Sequence, residues 1–186
     1  MRAAASLQLG ASNARVSFSV RWFKVIRVRG SFSGIAGTIT VPGSGSEEPK
    51  VTMSVESISV HTGISLRDKH LRGSRFLDSG RHPLIRFESD QVSRHNGVWD
   101  VRGRLVLRGL EREVRATVFE DVVLGKDLRL TADFSVPRRP HSVGTASGIR
   151  ALNPLLWAIA DEVYVRVELF VPATILHPTA EAVPAR

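Results

Sequence analysis

The sequence predicts an all-β antiparallel fold. Three observations lead there: apolar and polar residues alternate in short runs, glycine and proline fall between those runs, and helical periodicity is confined to brief stretches. With 186 residues, the chain is expected to form a single domain over 1–186, its core within about 14–171 and its termini flexible. A hydrophobic share of 42% is enough to build that core.

The elements follow in order. Residues 14–28 open with a clean period of two, Val16, Phe18, Val20 and Trp22 on one face against Arg15, Ser17, Ser19 and Arg21 on the other. Gly30, Gly34 and Gly37 punctuate the chain before a strand at Thr38–Val41. The run from Pro42 to Pro49 has turn formers and charge but no apolar side chain, and reads as a loop. Val51–Glu56 alternates again. Between 63 and 80 the period changes: Ile64, Leu66, Leu71 and Phe76 among charged residues suit one or two short helical turns, closed by Asp78-Ser79-Gly80 and by Pro83. Extended runs return at Leu84–Ser89, Val98–Leu107, Val114–Phe119, Leu128–Val136 and Tyr164–Val171, with Gly109 placed as a hairpin connection. Leu152, Leu155, Leu156 and Ile159 have helical spacing, limited at its start by Pro154. About eight strands and one helical insertion result, and either a barrel or a sandwich accommodates them.

Composition narrows the chemistry. The absence of cysteine excludes disulfides, thiolate metal sites and cysteine nucleophiles. The net charge of +8 is carried mainly by arginine, since lysine occurs only at 24, 50, 69 and 126. Arginines alternating singly with apolar residues, as at 102, 104 and 108, suit the solvated face of strands. Nucleic acid is accordingly not expected as a partner, although a basic nucleic-acid-binding barrel is the leading alternative, and salt-dependent oligonucleotide binding is its test. The N-terminal segment has no apolar stretch of signal-peptide length and no window suits a membrane span, so a cytoplasmic protein is expected unless a leader was removed.

Several segments, in fixed order, resemble the YceI family. They are Glu56-Ser57-Ile58-Ser59-Val60-His61-Thr62-Gly63, then Arg67-Asp68-Lys69-His70-Leu71-Arg72, Phe76-Leu77-Asp78, and His82-Pro83-Leu84-Ile85-Arg86-Phe87-Glu88-Ser89. The run Val101–Leu110 is similar to the family's glycine-bounded hairpin, and Asp161-Glu162-Val163 to the start of its final strand. The resemblance covers roughly residues 16–171. It implies an eight-stranded antiparallel lipocalin-like barrel with a short helical insertion and an elongated apolar cavity. It also implies binding or carriage of a polyisoprenoid, a quinone or polyprenyl phosphate type, without catalysis. Two segments depart from the pattern: Asn13-Ala14 stands where the family begins its first strand with His-Ser, and Arg139–Gly144 replaces an Arg-x-Asp-Phe-Gly motif.

The apolar members of the alternating runs are the expected cavity lining: Val16, Phe18, Val20, Trp22, Met53, Val55, Phe87, Leu105, Leu107, Phe134 and Val136. Arg67, Asp68 and His70 form the densest polar cluster. They either contact a ligand's polar head at the barrel mouth or fix the helical insertion, Asp68 capping a turn and pairing with Arg67. No cofactor is expected beyond a bound long-chain lipid. His61, His70 and His82, with Asp68 and Asp78, lack a recognised metal-ligand spacing. No Gly-x-Ser-x-Gly elbow is present, and Gly30–Gly34 is not a phosphate loop. An enzyme using His70 and Asp68 as acid and base is the remaining alternative, and association as a homodimer is left open.

Overall fold

The computed structural model describes residues 4–43, 48–123, 127–145 and 158–176. Its strands are β1 Ala5–Gly10, β2 Ala14–Trp22, β3 Ile26–Phe32, β4 Ile35–Val41, β5 Lys50–Glu56, β6 Val60–His61, β7 Leu84–His95, β8 Val98–Leu107, β9 Leu110–Val122, β10 Asp127–Pro137 and β11 Ile159–Pro172. One helix of two turns, α1, spans Ser65–Arg72, and a single turn, Ala173–Leu176, follows β11. All eleven strands belong to one sheet, in the order β1-β4-β5-β7-β8-β9-β10-β11-β2-β3-β6. The all-β antiparallel expectation holds, and the strand count is eleven rather than eight.

The sheet is curled. Leu9 of β1 and Ile39 of β4 share a buried cluster with Leu130 of β10, Leu169 and Val171 of β11, and Ala14 of β2, although β1 and β10 lie far apart in strand order. Ile175 and Leu176 pack against the same cluster. A second cluster joins Leu105, Val114 and Val136. Burying a side chain such as Val171 contributes about 1.5–3 kcal/mol, so curling the sheet is what gives these residues a core.

The differences in strand count have local causes. The segment at 5–10, expected to be a flexible terminus, pairs along its whole length with β4, from Ala5 opposite Val41 to Gly10 opposite Ala36. Asn13 forms the turn into β2: its side-chain oxygen accepts from the Gly10 amide at 2.9 Å and its amide donates to the Gln8 carbonyl at 2.9 Å. The run at 14–28 is two strands, because the chain reverses at 23–25 with Phe23 and Lys24 both at positive φ (50° and 62°). Strand β7 runs on to His95 and turns into β8 through Asn96-Gly97, a pair suited to positive φ. Helical structure between 63 and 80 is limited to α1, and the remainder is turns. Ile159, grouped with a helical spacing, begins β11 instead; Leu152, Leu155 and Leu156 lie outside the described residues.

Candidate ligand-binding site

Strand register puts the expected lining on one face, the inner face of the curl. One row runs Phe134, Val165, Phe18, Gly30 across β10, β11, β2 and β3; the next runs Val136, Val163, Val20, Val28. On the other wall Gly37, Met53, Phe87 and Leu105 form a row across β4, β5, β7 and β8. Val16, Val55, Leu105 and Val136 are buried. Phe18, Val20, Trp22, Met53, Phe87, Leu107 and Phe134 are only half-buried.

Two phenylalanines on this face lie over glycines. A β-carbon on Gly30 would stand 2.5 Å from Phe18 Cζ, and one on Gly103 would overlap the Glu88 carbonyl oxygen and stand 2.7 Å from Phe87 Cε2. A side chain would displace the ring at Gly30, and at Gly103 both the ring and the β7 backbone, which explains glycine within these strands. The Phe18 and Phe32 rings are 5.5 Å apart and tilted. The result is an apolar wall of aromatic and aliphatic side chains with part of its area open.

The polar candidates are arranged differently. Asp68 is buried, 3% exposed, and accepts from both the amide (2.9 Å) and the hydroxyl of Thr62. Its second oxygen lies 3.3 Å from His61 Nδ1. Burial acts to raise the Asp68 pKa, but the Thr62 hydrogen bonds, with His61 and Arg72 nearby, outweigh it and hold the carboxyl below its ordinary value. Arg67 does not pair with Asp68; it donates to the Thr62 hydroxyl and carbonyl, both at 2.7 Å. The two residues are joined through Thr62, fixing α1 to the end of β6. His70 is exposed, and its ring has no hydrogen bond among the described residues.

Sequence reasoning missed a second buried polar group. Arg138, 4% exposed, donates to the carbonyls of Ala160 (3.0 Å), Val143 (2.9 Å), Gly144 (3.0 Å) and Ile159 (2.9 Å), clamping the 138–145 loop to β11. Burial, with Arg139 alongside, lowers its pKa, and Asp161 opposes that shift. Arg108, at the β8–β9 turn, ties the same loop to the α1 segment through the carbonyls of Phe76 (2.9 Å) and Ser142 (2.5 Å). His141 is fully buried with Nδ1 3.1 Å from the Leu110 carbonyl. At the opposite end of the inner face, Glu120 accepts from Arg94 (3.2 Å) and from Trp99 Nε1 (3.1 Å). A depression of about 270 Å³ lies against β4, β5, β7 and β8, where Ala36, Gly37, Met53, Phe87 and Val106 line it together with the charged Arg86, Glu88, Arg104 and Glu111.

A curled antiparallel sheet whose inner face is an apolar, partly open wall belongs to the lipocalin-like class. The chain is a member of the YceI family: it matches the YceI-like domain over residues 7–171, a span that includes most of β1. It is 30% identical over 103 residues to a UPF0312 protein of Pectobacterium atrosepticum, covering 55% of this chain and 54% of that protein. A UPF0312 protein of Yersinia pestis is 31% identical over 102 residues, covering 55% and 53%. The matched stretch thus spans about half the length of these curated relatives. Among solved structures, BcnA of Burkholderia cenocepacia aligns with a TM-score of 0.73 at 18% identity, covering 85% of this chain and 96% of that one. A polyisoprenoid binding domain from Saccharophagus degradans aligns with a TM-score of 0.68 at 15% identity, covering 91% and 98%. Among the described residues no helix is long and apolar enough to cross a membrane.

Proposed function

We propose that this protein binds a long apolar lipid, most naturally a polyisoprenoid, along the inner face of its curled sheet, and that it does so without catalysis. One observation carries the reading: Phe18, Val20, Trp22, Met53, Phe87 and Phe134 face inward on one surface yet stay half-buried. In a filled core such residues would be closed off. Covering several hundred Å² of this wall at about 25 cal/mol per Å² drives binding even after a flexible tail is ordered. Membership of the YceI family and the Saccharophagus neighbour's polyisoprenoid-binding character support the choice of ligand class. Arg67 and Asp68 then serve to hold the α1 loop, and His70 is the polar candidate whose ring remains open to a ligand's head group.

The basic alternative loses ground on the outer face. Arg104 pairs with Asp90 (3.0 Å), Arg115 with Glu113 (3.0 Å), Arg129 with Asp121 (3.1 Å) and Arg166 with Asp133 (2.7 Å), so much of the arginine surplus there is matched by carboxylates. The test is organic extraction of protein purified from its native host, followed by mass spectrometry. A long-chain lipid recovered in near-stoichiometric amount is the expected result. Its absence, together with a crystal structure showing side chains filling the space between Phe18 and Phe87, would overturn the proposal.

A further inference from the structure

We infer that the tip of the β2–β3 hairpin docks on the surface of an anionic membrane. At this tip Phe23, Val25 and Ile26 are 50%, 82% and 49% exposed, a concentration of apolar surface that a water-facing turn does not need. Arg21, Lys24, Arg27 and Arg29 surround it, all exposed, and none has an ion-pair partner among the described residues. No carboxylate occurs anywhere in residues 1–46, whereas Arg104, Arg129 and Arg166 on the outer face elsewhere are each paired with an aspartate. On the neighbouring strand Asp161 is taken up by the Arg139 amide at 3.0 Å, so the exposed Glu162 is the carboxylate nearest the collar, one against four cations.

Two local features are unfavourable for a hairpin that ends in water. Phe23 occupies a left-handed conformation that a bulky side chain resists and asparagine or glycine adopts readily. Arg21 and Arg27 stand directly opposite each other across the strand pair, where like charges repel. An anionic interface relieves the second and gives the first a purpose, by holding an aromatic side chain at the apex. The α1 segment adds to the same end: β6 runs antiparallel to β3, with His61 opposite Ser31, so the chain beyond Thr62 heads toward the hairpin tip. That segment carries exposed Ile64 and Leu66.

An apolar apex within a basic collar is the arrangement that binds an anionic bilayer, the apolar groups entering the headgroup boundary and the cations meeting lipid phosphates. The alternatives fit less well. Of the tip's exposed apolar residues only Phe23 offers a face on which a base would stack, while Val25, the most exposed, and Ile26 suit hydrocarbon, and a second copy of the tip would bring like charges together. Trp22 and Ile26 form the last row of the inner face, so the apolar wall runs out to the tip. That continuity gives a lipid carrier a route between bilayer and groove. The docking itself does not require the groove to be occupied.

The experiment is co-sedimentation of the full chain with vesicles free of isoprenoid, equimolar phosphatidylglycerol and phosphatidylcholine against phosphatidylcholine alone. Binding is expected to the anionic vesicles, at least about tenfold weaker to the neutral ones, and to decline with added salt. Phe23→Asn with Lys24→Gly exchanges the Phe23 ring's contact with Trp22 (centroids 5.0 Å apart) for turn residues that accept positive φ; the melting temperature should change little while vesicle binding weakens about tenfold. Arg21→Ser with Arg27→Ser should abolish the preference for anionic lipid. Val122→Ser, an exposed position on β9 away from the tip, should bind as the wild type does. Wild type failing to sediment with anionic vesicles at low salt, or the turn variant binding undiminished, would overturn the inference. So would oligonucleotide binding that needs the arginines but not Val25, or tip-dependent self-association in sedimentation velocity. Because the vesicles contain no isoprenoid, none of these outcomes bears on whether the groove binds one.

Discussion

Two regions of the molecule turn side chains inward and differ in how far those side chains are satisfied. Around α1 and the 138–145 loop the inward groups are polar, and the fold itself takes them up. Asp68 is held by Thr62 and His61, Arg67 by Thr62, and Arg138 by carbonyls of its own loop and of β11. Along the inner face of the sheet the inward groups are apolar, and Phe18, Met53, Phe87 and Phe134 keep part of their surface uncovered. A polar cluster near the mouth of a cavity invites assignment as a head-group site. Here the geometry favours structural duty for Arg67 and Asp68, and leaves the open capacity for binding on the hydrocarbon-lined wall.

The largest effect that tests this contrast belongs to Arg138. Truncation by Arg138→Ala strips the carbonyls of Val143, Gly144, Ala160 and Ile159, the Gly144 one buried and the others partly so, of their donor, and should cost about 3 kcal/mol of stability, read by urea denaturation. A stable Arg138→Ala protein would mean that the 138–145 loop is not clamped as described. Next comes Asp68→Ala, which leaves the half-buried Thr62 amide and hydroxyl without their acceptor and should cost about 2 kcal/mol. Lipid affinity per folded molecule should not change. A variant that keeps its stability and loses the lipid would return Asp68 to the binding site and erase the contrast.

The apolar wall was more legible in the sequence than the polar supports. Val98–Leu107 alternates cleanly between turn residues and is β8 to the residue, since its inner-face positions show directly as period two. The strand at Ala5–Gly10 was hidden because only Leu7 and Leu9 mark its inner face, and its extended form comes from pairing with β4. The reversal at 23–25 was hidden for the opposite reason. Phe23, Lys24 and Val25 include none of the usual turn formers, so an apolar run continued through the turn. Arg138 and His141 could not be found by pattern at all. Arginine is ordinarily exposed, and neither its burial nor the histidine's follows from spacing. The Asn96-Gly97 turn, in contrast, was an available signal for the β7–β8 hairpin.

A third measurement works on the apolar side. Met53→Ser and Phe134→Ser each place a hydroxyl on the half-buried wall. Because neither side chain is fully enclosed, each should cost only about 1 kcal/mol of stability. Affinity for a fluorescent prenyl probe should fall about tenfold for each, corresponding to roughly 1.4 kcal/mol of lost apolar contact. Equal stability losses without any change in probe binding would show that these side chains merely complete a core.

The smallest effect concerns His141, where the polar end should respond to pH and the apolar wall should not. The ring is fully buried, Nδ1 lies 3.1 Å from the Leu110 carbonyl, and Nε2 has no hydrogen-bond partner among the described residues. With Nδ1–H donating to that carbonyl, protonation would place a full charge on a ring shut off from water. Burial accordingly lowers the imidazole pKa below its ordinary value of 6.5, opposed by the carbonyls of Leu110 and Leu107 and reinforced by Arg112. A folded pKa below the unfolded one means that the unfolded chain takes up the proton first. Stability is therefore complete above pH 6.5 and declines below it, by at most about 1.4 kcal/mol per pH unit for one proton, until the folded pKa is reached. Asp68, whose carboxyl is held below its ordinary 3.8, adds a separate loss at more acidic pH, as its own folded pKa is approached. In His141→Gln the decline that begins at 6.5 should flatten while the more acidic one stays. Thermal melts from pH 8 to pH 3 resolve the two, because linkage assigns each window to one group. If the decline begins at 6.5 as before in the variant, its source is one of the other histidines, and the buried ring at 141 is not what makes this end of the molecule acid-sensitive.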